Sequence, residues 1–585
     1  MKKSLLLILA ATAGVSAATA QFKEPVIYSE TAISRISADG HYAVSEVYGT
    51  VKVMNLTSGT EVVYAASEDG TYNYSLGHGN CVSADGSIIL ASTLTYPIDA
   101  SYLENGEWHQ LNVPETEMSN LANGVTPDGS RICGSVGLNP MSFDEVIMQI
   151  PAYWDRNADG TYSECKQLPY PDKDLFGEVP QYVTAISISA DGKTIVGQMQ
   201  FNSGSMAIPV VYKEDAKGEW SYSLPTKSQF NPDGLEPVEN PGDGPTPPNY
   251  EEFMTEEEIE AYNAAINDYY NLGTPDYPNF EDFMTEEEKA AYVAAQEAYK
   301  TVYEEWEAKW EAYDIYRTSV NDSSPNFVFN NCFISLDGKS IVSTLDSPDP
   351  NADPWSWFSN SLYTPASVDI ETGDITKVNT EVMGDNNELV TLSLLVAGVA
   401  NDGIMLLHNG LSSVPMLGYV AKGTELQTLV EYLNAISPEY GKWITKNMSH
   451  EVAVDYDPET WEEIFEEFTF TGLPHATPDM SLVSMYNSSP WDFMENAQSV
   501  VFELPAMTGM ASVSVSDQNL KVVAKGVISV PEGFAALQVY NLNGQCVKTV
   551  SAPCGLMKLN VAPGAYIVKG VRADGSASIV KLAAN

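Results

Sequence analysis

The chain has 585 residues, with 29 Lys and Arg against 79 Asp and Glu and a formal net charge of −50. A field of that sign repels nucleic acid and anionic lipid headgroups, so neither is an expected partner, and it suits a chain kept soluble outside a cell. Six cysteines permit disulfides in an exported chain without requiring them at this size.

The chain opens on a basic head, Met1-Lys2-Lys3, an apolar stretch from Leu5 to Val15 too short to span a bilayer, and Ala18-Thr19-Ala20 ahead of Gln21. This is the pattern of a signal peptide over residues 1–20. No later segment is long and apolar enough to cross a membrane, so no membrane insertion is expected.

From residue 21 to about 510 one phrase recurs: apolar, Ser or Thr, any residue, Asp, Gly. It reads Ile36-Ser37-Ala38-Asp39-Gly40, Val82-Ser83-Ala84-Asp85-Gly86, Val125-Thr126-Pro127-Asp128-Gly129, Ile188-Ser189-Ala190-Asp191-Gly192 and Ile334-Ser335-Leu336-Asp337-Gly338. Weaker copies stand at Val399-Ala400-Asn401-Asp402-Gly403 and Ala476-Thr477-Pro478-Asp479-Met480. Each copy joins two strand-like runs, because Asp can bond the backbone ahead and Gly supplies φ above zero, so the phrase is a hairpin corner. A third strand, a polar turn and a fourth strand follow, as in Pro209 to Tyr212 and Trp220 to Leu224. Four short antiparallel strands per unit, repeated seven times, predict an all-β fold, a β-propeller of seven blades. Pro25-Val26-Ile27-Tyr28 precedes the first corner with no blade of its own, and is expected to close the ring beside Val500-Val501-Phe502. Cys81, Cys133 and Cys332 are read as small buried apolar positions.

Asp155-Arg156-Asn157-Ala158-Asp159-Gly160 matches the first half of a calcium loop, with Asp155, Asn157 and Asp159 as candidate ligands. Lys166 stands where the bidentate Glu belongs, which favours a hairpin turn inside a blade over a metal site. No other cofactor is suggested.

Residues 231–320 interrupt the repeats with an acidic helical insertion. A Pro and Gly linker leads to Pro248-Asn249-Tyr250-Glu251-Glu252-Phe253-Met254-Thr255-Glu256-Glu257-Glu258, echoed 30 residues later from Pro278 to Glu288. Thr255 with Glu258, and Thr285 with Glu288, are capping boxes that start two helices, the second running from Glu286 to about Arg317. Its aromatic stripe, Tyr292 to Tyr313, either buries a seam of its own or the rim of the propeller, or docks a partner. Later, Trp355, Trp357 and Phe358, and Trp491 and Phe493, are aromatic loop residues that suit ligand binding by stacking. A small acidic helix is expected near Glu459-Thr460-Trp461-Glu462-Glu463-Ile464-Phe465.

Residues 511–585 change to a compact β pattern, a small antiparallel sandwich. Cys546 and Cys554 flank a hairpin in it and are the disulfide candidate.

The corners resemble the Ser-Pro-Asp-Gly-Lys repeats of TolB-type, WD40-like propellers over about residues 30–505, which implies the fold and no activity. The run Val539-Tyr540-Asn541-Leu542, Gly544-Gln545, Val547, then Pro563-Gly564, Tyr566-Ile567-Val568-Lys569 and a late Lys581-Leu582, resembles the C-terminal sorting domain of type IX secretion in Bacteroidota. That resemblance implies a Gram-negative source, secretion machinery as a partner, and a secreted or outer cell surface location.

No G-x-S-x-G elbow occurs, and the six histidines show no zinc spacing, so no catalytic residue is nominated. The leading expectation is a secreted or surface binding propeller for a protein or glycan. The alternatives are an extracellular carbohydrate-active propeller enzyme with carboxylates in its central funnel, and a structural surface protein docking a partner through the acidic insertion.

Overall fold

The computed structural model describes residues 22–584 except 48, 65–73, 95–97, 114–118, 138–147, 172–178, 201–206, 273–276, 350–360, 384–388, 411–414, 457–462, 488–496, 505–519, 525–526, 531–533, 542–545, 552–554, 560, 563 and 573–576. The signal-peptide segment therefore lies outside the described residues.

Five four-stranded antiparallel sheets and one eight-stranded sheet made of two four-stranded units give seven such units in succession along the chain. Their innermost strands are Ile33–Ile36, Tyr74–Leu76, Leu121–Val125, Tyr182–Ile188, Phe327–Ile334, Leu395–Val399 and Gly472–Ala476. A single parallel bridge, Gln149 to Tyr182, links the third sheet to the fourth. The seventh sheet holds only three strands of its own, and Val26–Ser29 supplies the fourth, with Val26 opposite Val501 and Tyr28 opposite Ser499. The ring is thus closed by the strand the sequence reserves for it, which covers the edge of Gln498–Glu503.

The corner phrase is a hydrogen-bonded unit. In the fourth blade Ser189 Oγ donates to Asp191 Oδ1 at 2.7 Å and accepts the Thr194 N–H at 3.0 Å, while Asp191 Oδ1 accepts the Lys193 N–H at 3.0 Å. The same three bonds hold the corners at Ser37, Ser83, Thr126, Ser335 and Thr477. The Ser189 hydroxyl, then against it burial, then the Lys193 N–H, leave Asp191 below the usual carboxylate range. The sixth copy has no hydroxyl. Ala400 stands there, the Ala400 N–H donates to Ile404 O at 2.8 Å, and Asp402 itself turns to φ 61°. The seventh copy puts Met480 where Gly is expected, and Met480 takes the left-handed φ of 59° while nearly fully buried.

Corners also join neighbouring blades. The Ala84 N–H donates to Pro127 O, Ala190 to Leu336 O and Asn401 to Pro478 O, at 2.7 to 2.8 Å. Cys81, Cys133 and Cys332 are buried, as expected, and burial pushes the Cys133 and Cys332 thiols up to about 12.

Strands alternate in direction within a blade, so corners and third-to-fourth turns share one face of the ring. Second-to-third loops and every blade-to-blade connection share the other. All the additions sit in those connections. Between blades four and five come α1 (Glu256–Leu272) and α2 (Glu286–Ser323), each started by its capping box. The two copies pack on each other through equivalent residues, Met254 with Met284 and Tyr262 with Tyr292. Helix α2 outruns the expected Arg317 because Tyr316 and Val320 bury against Leu235 and Val238 of the linker. Its aromatic ladder, Tyr299, Tyr303, Trp306, Trp310 and Tyr313, has successive ring centroids 5.6 to 5.8 Å apart, and Trp306 Nε1 donates to the linker carbonyl of Gly242 at 3.0 Å.

Between blades six and seven come α3 (Leu429–Ile436), α4 (Pro438–Asn447) and a hairpin of Ser449–Tyr456 with Glu463–Thr469. The acidic helix expected near Glu459 to Phe465 is therefore corrected: residues from Glu463 onward form a strand. A helix would stack Glu463 on Glu466 and Glu467, whereas Ile464, Phe465, Phe468 and Thr469 favour a strand with a partner to pair.

The C-terminal unit is the expected sandwich. A three-stranded sheet (Lys521–Ala524, Val527–Val530, Gly555–Lys558) and a four-stranded one (Phe534–Asn541, Cys546–Ser551, Gly564–Arg572, Ala577–Ala584) share a core of Ile528, Val530, Leu537, Val539 and Val568.

Candidate functional site

In six of the seven blades the innermost strand loses register before its corner. The shift falls between Ile33 and Arg35, Ala122 and Gly124, Ala185 and Ser187, and Val396 and Gly398, with longer interruptions in blades five and seven. A bulge re-aims the side chain that follows it. Here the residue four places before the corner Asp is brought to the ring axis, and Arg35, Ser187, Phe333, Gly398 and His475 line one central cavity of about 80 Å³. The cavity extends to Ala38, Leu336 and Pro478 on the corner face, and no Asp or Glu occurs among the described residues lining it.

Arg35 is the one Arg or Lys among the described residues lining it. Its Nε donates to Gly79 O at 2.9 Å, Nη1 to Ser34 O at 2.6 Å and Nη2 to His78 O at 2.5 Å. Gly79 lets the chain come this close: a Cβ there would lie 2.0 Å from the Ile186 carbonyl oxygen. Desolvation first, then the Arg35 charge and that of His408, hold the His475 imidazole well below its usual pKa. Asn80 Nδ2 is buried on the same cavity with no hydrogen-bond partner.

A second concavity, of about 570 Å³, opens between blades two and three. Tyr74 and Trp108 stack on its wall at 4.0 Å and 9°, Tyr102 stacks on His109 at 5.0 Å and meets Tyr162 edge-on at 4.9 Å. Thr93, Ser101, Gln110, Asn112 and Thr161 supply polar groups, Gln110 Nε2 being tied to Asp99 Oδ2 at 2.9 Å. Trp108 Nε1 is buried with no acceptor. Arg156 pairs with Glu104 across the same two blades and lies 5.5 Å from the Tyr162 ring centroid.

None of the nominated residues is among the described residues that line either concavity. Trp355, Trp357, Phe358, Trp491 and Phe493 lie outside the described residues. Asp155 is committed to cations of the chain: Arg131 Nε donates to its Oδ1 at 2.6 Å and Lys166 Nζ to its Oδ2 at 2.7 Å. Arg131 also reaches Glu214 at 2.9 Å and the Gly192 carbonyl at 2.9 Å, stapling blade three to blade four. Asp159 Oδ1 accepts from the Thr161 N–H and hydroxyl, and the Asn157 amide donates to Thr161 Oγ1. These three groups serve a blade turn, with Gly160 at φ 91°. Cys546 is exposed and free, and Cys554 lies outside the described residues.

Sequence reasoning looked to the central funnel for carboxylates and nominated no residue of either concavity, though each left a mark. Arg35 is a lone cation in the inner strand Ile33-Ser34-Arg35-Ile36, and Trp108-His109-Gln110 is a polar aromatic run on a short outer strand.

No protein-family model matches the chain. No curated protein matches it either. Among solved structures it is similar to Kuenenia stuttgartiensis hydrazine synthase, at 9% identity and a TM-score of 0.37 over 81% of this chain and 97% of that one. It is similar to PorZ, a bacterial surface component of the type-IX secretion system of Porphyromonas gingivalis, at 10% and 0.35 over 93% of this chain and 58% of that one. The polysaccharide lyase Uly1 gives 9% and 0.39 over 83% of this chain and all of that one. The propeller assignment rests on strand order and ring closure, and likenesses this distant add nothing about activity.

Proposed function

We propose that this chain is an exported β-propeller binding protein whose ligand is a glycan, held in the cleft between blades two and three. The observation that carries the reading is the wall of that cleft: stacked Tyr74 and Trp108 beside Tyr102 and His109, polar groups around them, and a buried indole N–H without an acceptor. Sugar rings present C–H faces to aromatic planes and hydroxyls to such donors, and about 570 Å³ lies within the range of small-ligand pockets. The export part of the reading is supported by the sequence patterns at residues 1–20 and 511–585, the latter serving as a sorting signal for the secretion machinery.

The test is a glycan array followed by titration of the best hit. Trp108→Phe, which keeps the stack and removes the N–H, is expected to weaken binding about tenfold, and Trp108→Ala to abolish it. An array with no hit, or a hit indifferent to both variants, would sink the cleft as the site. For export, removal of residues 511–585 is expected to leave the protein inside the outer membrane; unchanged secretion would refute the sorting role.

A further inference from the structure

A chain with fifty more negative than positive side chains places an arginine in the central cavity of its propeller and, among the described residues, gives it no carboxylate. Arg35 makes no ion pair among the described residues; its three recorded bonds go to backbone carbonyls of Ser34, His78 and Gly79. A guanidinium carries five N–H donors, so two remain beyond those three. A buried charge is costly unless paired and hydrogen-bonded, and carbonyl dipoles satisfy donors without neutralising the charge. Asn80 adds a buried Nδ2 with both hydrogens unclaimed, and His475 adds a buried imidazole. The three come from the inner strands and connections of blades one, two and seven, which are neighbours in the ring, and all line the same cavity of about 80 Å³. The Arg35 guanidinium and the Asn80 Nδ2 are donors, His475 adds an imidazole, and none of the three is an anion.

We infer that this channel is an anion site, in which the Arg35 guanidinium, the Asn80 amide and the His475 imidazole receive one carboxylate group. The volume admits a carboxylate head and little more, so the remainder of a larger ligand stays on the corner face, beyond Ala38, Leu336 and Pro478. Planar guanidinium donors match the two oxygens of a carboxylate. The site is separate from the aromatic cleft and does not depend on it.

The test uses the full mature chain, titrated with sodium acetate against sodium chloride at constant ionic strength, with calorimetry and thermal unfolding as readouts. Acetate is expected to bind saturably and raise Tm, chloride to do neither. Asn80→Leu removes a group that already lacks a partner, so the variant is expected to fold, and to bind acetate about tenfold more weakly; His475→Leu is expected to do the same, and Arg35→Met to lose binding. Since Arg35→Met also breaks three carbonyl bonds, the Asn80 and His475 variants decide if it fails to fold. An acetate response equal to that of chloride, or one kept in full by both Asn80→Leu and His475→Leu, overturns the site. Glucuronate and a short peptide with a free or amidated C-terminus identify the source: tighter binding of glucuronate or of the free-acid peptide than of acetate supports the site and names the carrier. Unchanged glycan binding by Asn80→Leu keeps this result distinct from that of the cleft.

Discussion

The two faces of the ring are built on opposite rules. On one, six corners repeat the same three hydrogen bonds around a Ser or Thr, an Asp and a backbone N–H, and neighbouring corners bond to each other. On the other, connections range from short links to the duplicated helical pair and the α3, α4 and hairpin group. The repeated face sets blade geometry, so a change there is felt in the whole ring. The duplicated helical pair has cores of its own, so a change there stays local, whereas α3 and α4 bury into the core of blades six and seven.

The largest expected effect tests the close packing behind the repeated face. Gly79→Val would drive side-chain atoms into the Ile186 carbonyl and is expected to prevent folding, seen as loss of a cooperative thermal transition. Next is acid. His408 is buried, its Nδ1 accepts the Gly410 N–H at 3.1 Å, and desolvation lowers its pKa to about 4. The unfolded chain binds that proton near pH 6.5, so stability is full above 6.5 and falls as pH drops toward 4, by about 3 kcal/mol in all. His408→Asn keeps an acceptor near Nδ1 and is expected to flatten denaturant-derived stability across that window; an unchanged slope would mean other groups carry it. Smaller still, Ser189→Ala breaks one corner unit at a cost of about 1 to 2 kcal/mol, readable as a shift of denaturation midpoint. The least effect is expected on the varied face. The Asn231 N–H donates to Ser324 Oγ at 2.9 Å, so residues 232–323 can be replaced by a short Gly-Ser link. The propeller is expected to keep its Tm within a few degrees, as the ends already meet; a collapse in Tm would show the faces are not independent.

That difference also decides what was legible beforehand. Asp39, Asp85, Asp128, Asp191, Asp337 and Asp479 sit in a local pattern whose chemistry is complete within six residues, so corner, blade and ring followed from it. Thr255 with Glu258 and Thr285 with Glu288 were readable for the same reason. Glu463 to Thr469 was not, because its strand exists only through pairing with Ser449–Tyr456, a contact that composition hides. The two concavities were hidden likewise. Arg35, Asn80 and His475 are hundreds of residues apart at their extremes, and only ring closure, with a loss of register before Arg35 and His475, brings them to one cavity. Tyr74, Trp108 and Tyr162 meet because two blades abut.

The strand Val26–Ser29 gives the molecule a timetable. The Ser499 hydroxyl donates to the Thr31 carbonyl across 468 residues of chain, and Val26 pairs with Val501. The first strand to emerge during synthesis must therefore wait for the last blade before it finds its place. Contacts so distant in sequence form slowly, and until they form, Gln498–Glu503 presents an unpaired edge. A partly made chain cannot shut its ring, so maturity of this propeller is reached in one late step.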